Sequence, residues 1–310
     1  MKKDLLNKLT VDSYNHEYLM KNYQEGGRFK LFSNVFFGKM SNMSKANWWM
    51  ILFALPALAA IIYIAYRASN YAVYVPFGSN FGLGYPVVDD NAAVYADLIF
   101  KNNMFRALLL IPCIVIGFVG LAGLFNVIKY ESLGFTVKVG KEFFKGVKNN
   151  FNVYMWVGLV LALLYFSLDL SLNFYGNPDL ALAWKIVAIA ANVIVMAFAL
   201  VMSFYILTQA ALYDLPMGKL IKNAFWLTVS FVIQNVIMLV FSLVPVALLL
   251  LCGSSTFLNI IIFMVLAMVG FSYIACVWTI YTHYVYGMLF TAVADQNNGG
   301  KKKHKKAKAK

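Results

Sequence analysis

The sequence predicts an all-α fold, a polytopic membrane helix bundle with six transmembrane helices and both termini in the cytoplasm. Hydrophobic residues make up 62% of the chain and charged residues only 13%, about half the charged share of a soluble domain. Six stretches reach the roughly 20 apolar residues that a helix needs to cross a ~30 Å hydrocarbon core. Basic residues gather on one side of these stretches, and this distribution sets the orientation.

The six stretches also define the domain organisation. In lipid every backbone N–H and C=O group must pair within the protein, so spans of this length are helices. We expect a cytoplasmic arm at 1–45, a six-helix transmembrane domain at 46–290 and a Lys-rich cytoplasmic tail at 291–310. The predicted spans are 47–66, 105–128, 154–174, 184–212, 225–251 and 257–284.

Lysine and arginine determine the predicted orientation. Of the 26 basic residues, 22 lie in the arm, at 129–153, at 213–224 or after Asp295. Basic residues are retained on the cytoplasmic side of a membrane, so we expect a multi-pass membrane protein with both termini inside the cell. The net charge of +13 suits anionic lipid headgroups, and we expect no specific nucleic acid partner. The other four basic residues lie beside the outer loops: Arg67, Lys101, Arg106 and Lys185.

The end of the arm has the pattern of a helix that lies in the membrane interface. Large apolar residues recur there at spacings of three and four, with basic residues between or beside them, which is typical of an amphipathic interfacial helix. The residues that form this pattern are Phe29, Phe32, Phe36, Met40 and Met43.

The connection at 67–104 is predicted to be a long outer loop. It combines several glycines and prolines with many aromatic residues. Loops of this length are usually functional or disordered, and the aromatic content argues against disorder. Two interpretations stay open: a lid packed over the outer helix ends, or a docking surface for an extracellular partner or ligand.

A short motif occurs twice at the predicted inner membrane face. The pattern Lys-x-(Val/Ile)-Lys-Asn-x-Phe precedes both the third and the fifth span. It is either the trace of a parallel duplication, as in some transporters, or the convergence of two interfacial helices on similar residues. Its polar members are Lys145, Lys148 and Asn149 in the first copy and Lys219, Lys222 and Asn223 in the second.

The tail after Gly299 is a low-complexity run of lysines that we expect to be unfolded by itself. Attraction to the anionic membrane surface is the default role. Contact with a ribosome is the alternative.

Several short segments match one known pattern. They are Tyr-Asp-Leu at 213–215 with Leu-Ile-Lys-Asn-Ala at 220–224, the basic run at 143–151 with Leu-Asp-Leu at 168–170, Asn-Trp-Trp at 47–49 and Leu-Pro at 55–56. Together they resemble the YesL-like family of bacterial membrane proteins of unknown function, over about 27–284. The resemblance implies an accessory role in sugar uptake, because members of the family are often encoded beside carbohydrate ABC importers. It implies no catalytic or binding residues, and the loop at 67–104 and the tail depart from the family's pattern.

Asp169 is the clearest ionisable candidate at membrane depth. A carboxylate there costs about 2.5–3.5 kcal/mol on insertion scales, so it needs a partner or a water-lined cavity. A structural ion pair is one hypothesis, and a ligand or proton site is the other. The cations expected at the same outer level are Arg67, Arg106 and Lys185.

Three amides complete the set of intramembrane candidates. Gln234 and Asn235 are expected near the middle of the fifth span, and Asn192 lies in the fourth. Amides at this depth usually hydrogen-bond across helices, at about 0.6–2 kcal/mol each.

Signatures of catalysis are missing from the sequence. We find no phosphate-binding loop, zinc-protease or nucleophile-elbow motif, and we expect no cofactor, no metal site and no enzymatic activity. The preferred hypothesis is an accessory or assembly partner of a carbohydrate ABC-type import system, in contact with its subunits or with further copies of this chain. The rival is a transporter or channel with a polar path near Asp169, Gln234 and Asn235.

Overall fold

Every regular element of the described chain is a helix. The computed structural model describes residues 27, 29–74, 90–175, 182–213, 215–251 and 256–307. Helix α1 covers residues 29–36. The longer helices are α2 (Met40–Tyr74), α3 (Asp90–Ser132), α4 (Val139–Tyr175), α5 (Leu182–Leu212), α6 (Met217–Ser230), α7 (Val232–Leu251) and α8 (Thr256–Ala307). The predicted all-α fold is confirmed.

Five helices, α2 to α5 and α8, are long and apolar enough to cross a membrane, and the bent pair α6–α7 brings the number to six when it is counted as one span. The pair bends by 98° between Met217–Ser230 and Val232–Pro245. Helix α7 has 20 residues, which at 1.5 Å per residue span about 30 Å. The prediction of a continuous span at 225–251 is therefore wrong, because the crossing helix begins at Val232.

Contacts between neighbouring helices show that their directions alternate. Asn126 Nδ2 donates to Glu142 O over 2.8 Å, which joins the end of α3 to the start of α4. Tyr154 Oη donates to Leu207 O over 2.6 Å, which joins the first half of α4 to the end of α5.

The starts of α2 and α7 lie at this same end of the bundle. Asn42 Nδ2 donates to Glu131 Oε1 over 2.6 Å, and Tyr281 Oη donates to Asn235 Oδ1 over 3.0 Å. We call this end the base. It consists of the starts of α2, α4 and α7, the ends of α3 and α5, and the end of the apolar part of α8. The opposite end is the top. Since α1 and Tyr286 both lie at the base, the chain enters and leaves the apolar bundle on one side, as an even number of crossings requires.

The buried core lies mainly in the base half of the bundle. Its largest fully buried side chains include Trp278, Tyr154, Tyr205, Tyr281, Phe125 and Phe143. A second, smaller cluster in the top half has Ala60, Leu110 and Cys113 as its buried members, with Tyr165 among the residues packed against them. The base-half cluster includes buried residues of α1 through α6 and of α8, whereas the top-half cluster connects α2, α3 and α4.

The predicted interfacial helix is shorter than expected. Residues 29–36 form α1, a turn follows at 37–39, and Met40 already begins α2. A Cβ atom at Gly38 would collide with Asn34 O, so the turn needs glycine. The buried face of α1 consists of Leu31, Val35 and Phe36, while Phe29 is 73% exposed.

The predicted outer loop at 67–104 is largely helical, which corrects that boundary. Helix α2 continues to Tyr74 and α3 begins at Asp90, while 75–89 lies outside the described residues. Contacts at i,i+4 spacing support both extensions. Arg67 Nη2 donates to Tyr71 Oη over 2.7 Å, and Lys101 Nζ lies 2.6 Å from Asp97 Oδ2.

The tail is helical where it continues α8. Its backbone forms part of that helix up to Ala307, and the expectation that the lysine run is unfolded by itself stays a prediction. Lysine and alanine are good helix formers, and extending an existing helix avoids the cost of nucleation. The arm at 1–26 lies outside the described residues.

Candidate functional site

An ion pair joins α3 to α4 in the top half of the bundle. Arg106 Nη2 lies 2.6 Å from Asp169 Oδ1, and the two side chains are 33% and 9% exposed. Of the three cations that the sequence offered, Arg106 is the partner. Asp169 is therefore engaged by a cation of the neighbouring helix.

Two asparagines extend this ion pair into a polar cluster. Asn173 Nδ2 donates to Asp169 O over 2.7 Å and approaches Asp169 Oδ2 at 3.3 Å. Asn103 Nδ2 donates to Asn173 Oδ1 over 2.8 Å. The four side chains thus connect α3 and α4 through direct contacts, and we call them the top polar cluster. Sequence reasoning found Asp169 and Arg106 but missed the two amides, which lie one helical turn away from them.

Arg67 and Lys185 have other environments. Arg67 Cζ lies 4.8 Å from the centre of the Phe105 ring, at cation–π distance. Lys185 is half-buried and forms no ion pair within the described part of the chain.

A second polar centre surrounds Asn235 at the base. Its side chain is buried, and Oδ1 accepts hydrogen bonds from Tyr205 Oη (2.7 Å) and Tyr281 Oη (3.0 Å). Its Nδ2 donates to Leu227 O (3.2 Å) and Thr228 O (3.1 Å). One amide therefore links α5, α6, α7 and α8. The predicted hydrogen bonds across helices are present.

Asn235 also stabilises the bend between α6 and α7. The last carbonyls of a helix have no partner within it, and two of them in α6, those of Leu227 and Thr228, accept from Asn235. The Phe231 N–H adds a bond of 3.2 Å to Leu227 O. Because the amide satisfies these carbonyls inside the protein, the helix can break at membrane depth without exposing backbone to lipid.

Gln234 and Asn192 differ from the expectation. The bend places Gln234 in the first turn of α7, at the base, where the sequence had suggested the middle of a span. Its Oε1 is buried and accepts no hydrogen bond within the described chain. Asn192 Nδ2 donates to Ala188 O over 2.9 Å, one turn back in its own helix. Neither amide joins two helices.

An apolar groove of about 250 Å³ opens beside Gln234 between α1, α7 and α8. We call it the base groove. Its lining consists of Phe29, Phe32, Gln234, Ile237, Met238, Phe241, Val277, Ile280 and Tyr281. It is a cavity without charged lining residues, so it suits an apolar occupant.

The base carries an excess of positive charge. Lys145, Lys148, Lys219 and Lys222 of the repeated motif are all exposed there. The two copies differ in geometry, since the first lies inside the continuous helix α4 and the second in α6, before the bend. This difference weakens the interpretation as a duplication.

The charge balance of the base is strongly positive. In the described chain up to Tyr286, the base has two acidic residues, Glu131 and Glu142. Its lysines are Lys30, Lys39, Lys45, Lys129, Lys138, Lys141, Lys145, Lys148, Lys219 and Lys222.

Two buried amides were missed by sequence reasoning. Asn47 Nδ2 donates to Ala267 O over 2.7 Å, and its Oδ1 accepts from Ser272 N over 3.0 Å, which joins α2 to α8. Gln209 is fully buried, and neither of its amide atoms has a hydrogen-bond partner among the described residues. In both cases the available signal was an amide within an apolar run. Asn47 was overlooked because it lies beside Trp48 at the start of a span, and Gln209 because it lies close to the loop at 213–224.

Comparisons with family models, with curated proteins and with solved structures find no match for this chain. The resemblance to the YesL-like family therefore stays a prediction. Within the described ranges, no group of three or more His, Cys, Asp or Glu side chains is placed to hold a metal ion.

Proposed function

We propose that the chain is a non-enzymatic integral membrane protein of a bacterial plasma membrane that assists or assembles a carbohydrate ABC-type importer. The observation that carries this proposal is the engagement of two polar groups at membrane depth across helices. Asp169 is paired with Arg106, and Asn235 makes four hydrogen bonds. Groups engaged in this way hold helices together, which suits a scaffold. The link to sugar import rests on the resemblance to the YesL-like family.

The orientation that belongs to this proposal places the base in the cytoplasm. The excess of lysine at the base supports it, because basic residues are retained on that side. The test uses single cysteines in a background where Cys113, Cys252 and Cys276 are replaced by alanine. An impermeant maleimide should label Lys101→Cys in intact cells and Lys148→Cys only after permeabilisation. The reverse pattern would overturn the orientation.

Gentle purification from native membranes tests the accessory role. The full chain, tagged and extracted in a mild detergent, should retain the membrane subunits of an importer, which mass spectrometry identifies. A second multi-pass protein with the same tag is the control for nonspecific carry-over. Recovery of the chain alone, or only with further copies of itself, would refute the association.

A transporter or channel is the second candidate, and Gln209 favours it. A fully buried amide without a partner is costly and is typical of sites that work on a substrate or ion. The three residues that the sequence assigned to a path are divided, however, since Asp169 lies in the top half and Gln234 and Asn235 at the base. Flux in proteoliposomes that Gln209→Leu abolishes while unfolding stays unchanged would favour transport.

A further inference from the structure

The base groove begins beside the bend between α6 and α7. With α7 as the fifth crossing helix, this is the level at which the membrane interface meets the hydrocarbon core. Gln234 is the third residue of α7 and follows directly on the bend. Ile237, Met238 and Phe241 continue the lining along α7. At 1.5 Å per residue, the groove runs about 10 Å from Gln234 toward the middle of the helix. A molecule in it would have one end near the headgroups and the other in the apolar layer.

The walls of the groove divide into a closed floor and an open side. Val277, Ile280 and Tyr281 of α8 are at most 3% exposed and form the floor. Ile237 is 59% exposed and lies on the face of α7 that is turned toward lipid. The groove is therefore continuous with the bilayer-facing surface of α7, and a bilayer lipid can enter it sideways.

The volume and the chemistry of the groove fit a hydrocarbon chain with one hydrogen-bond donor. A dry apolar cavity of about 150 Å³ already accepts a benzene-sized molecule, so 250 Å³ is ample for a segment of acyl chain. Gln234 borders the groove at the interface end, and its Oε1 has no hydrogen-bond partner among the described residues. This oxygen is covered by the surrounding protein, so a donor in the groove reaches it when the amide rotates toward the cavity. Leaving such an acceptor unpaired is unfavourable, which selects an occupant that brings a donor.

We propose that the base groove binds a glycerolipid with a free hydroxyl group, whose acyl chain lies along Ile237, Met238 and Phe241 and whose hydroxyl donates to Gln234 Oε1. The hydroxyl of such a lipid lies at the level of the glycerol, which is the level of the first turn of α7. This assignment is independent of any role in sugar import, because it uses only the groove and the bend.

Segment 1–26 of the same chain is the competing occupant, since it directly precedes α1. Its sequence is polar and has charged residues spread along its length, among them Lys8, Asp12, Glu17 and Lys21. Charges in a groove without a charged lining residue would be desolvated and unpaired, so the lipid is favoured.

Photo-crosslinking of the purified full chain tests the proposal. The protein is placed in phosphatidylcholine nanodiscs with a diacylglycerol that has a diazirine in one acyl chain, or with the 3-O-methyl ether of that probe, which lacks the donor. Peptide mapping should find Met238 and Ile280 labelled more strongly than Ile233, which is 78% exposed and outside the groove. The hydroxyl probe should exceed the ether by about threefold, as expected for one hydrogen bond.

Matched variants identify the groove as the site. Ile237→Trp should fill it and reduce labelling at least about threefold, whereas Val240→Trp should not, because Val240 is equally exposed at 62% but does not line the groove. Gln234→Met should abolish the preference for the hydroxyl probe. Thermal unfolding checks that each variant is folded.

Three outcomes would overturn the proposal. The first is equal labelling of groove and lipid-facing residues in the wild-type chain, which indicates only surrounding lipid. The second is equal labelling by the hydroxyl and ether probes. The third is a photo-cross-link from a photoreactive methionine analogue at position 238 to residues of segment 1–26 in place of lipid. Each of these outcomes is measured on the wild-type chain, so the proposal can be tested even if a variant fails to fold.

Discussion

The Tyr205 hydroxyl donates a hydrogen bond of 2.7 Å to Asn235 Oδ1, and this contact ties the end of α5 to the first turn of α7. The same amide satisfies two carbonyls at the end of α6. A single buried side chain thus stabilises both a helix contact and the bend that decides where the fifth crossing begins.

Replacing Asn235 by leucine should destabilise the protein by about 2–4 kcal/mol, because four hydrogen bonds are lost and buried groups remain unpaired. Reversible unfolding in mixed micelles measures the change. Asn192→Leu is the control, since its amide bonds only within its own helix, and it should stay within about 0.5 kcal/mol of the wild type. Similar losses for both variants would show that Asn235 has no special role.

Breaking the top ion pair should cost less than breaking a fully buried one. Asp169→Leu leaves Arg106 without its partner, and we expect a loss of about 2–3 kcal/mol, below the 3–5 kcal/mol of fully buried pairs, because Arg106 is one-third exposed. The double variant with Arg106→Leu should recover much of the loss. Asp97→Asn removes an exposed pair and should change stability by less than about 1 kcal/mol. A double variant that is no more stable than Asp169→Leu would contradict the pairing.

The close approach of α3 and α4 depends on Gly123. A Cβ atom there would lie 2.7 Å from Phe143 O and 2.8 Å from its ring, so Gly123→Ala forces the helices apart and should cost about 1–3 kcal/mol. Gly117→Ala is the matched control in the same helix, since no atom lies within 4 Å of its Cβ position. Its stability should be equal to or slightly above that of the wild type. Equal behaviour of the two variants would exclude this packing role.

Spin labels report whether α6 lies along the membrane surface. Labels at Lys222, Phe225 and Val229 should have nearly constant immersion depth, because α6 is at 98° to α7. Labels at Ile233, Val236 and Val240 should deepen by about 5.4 Å per helical turn. Power-saturation measurements in liposomes give these depths. A steady increase from Phe225 onward would indicate one straight span and contradict the bend.

The sequence predicted the ion pair well and the bend poorly. A carboxylate at the depth of Asp169 requires a cation at the same level of the membrane. The sequence places only three cations there, so the partner could be predicted to be one of three residues. The run at 225–251 contains no glycine, and its one proline lies near its end. Its apolar pattern is the same whether the helix continues or breaks at Phe231, so local signals could not place the break.

The sequence by itself determined that the chain is helical, that it is built to cross lipid repeatedly and where its positive charge accumulates. These properties depend on segment length, composition and charge, which need no knowledge of neighbours. Only the tertiary structure decided that Arg106 pairs with Asp169, that Asn235 joins four helices, and that a groove opens beside Gln234. Such contacts depend on how helices that are distant in the sequence rotate and align when they pack together. No local sequence pattern contains that information.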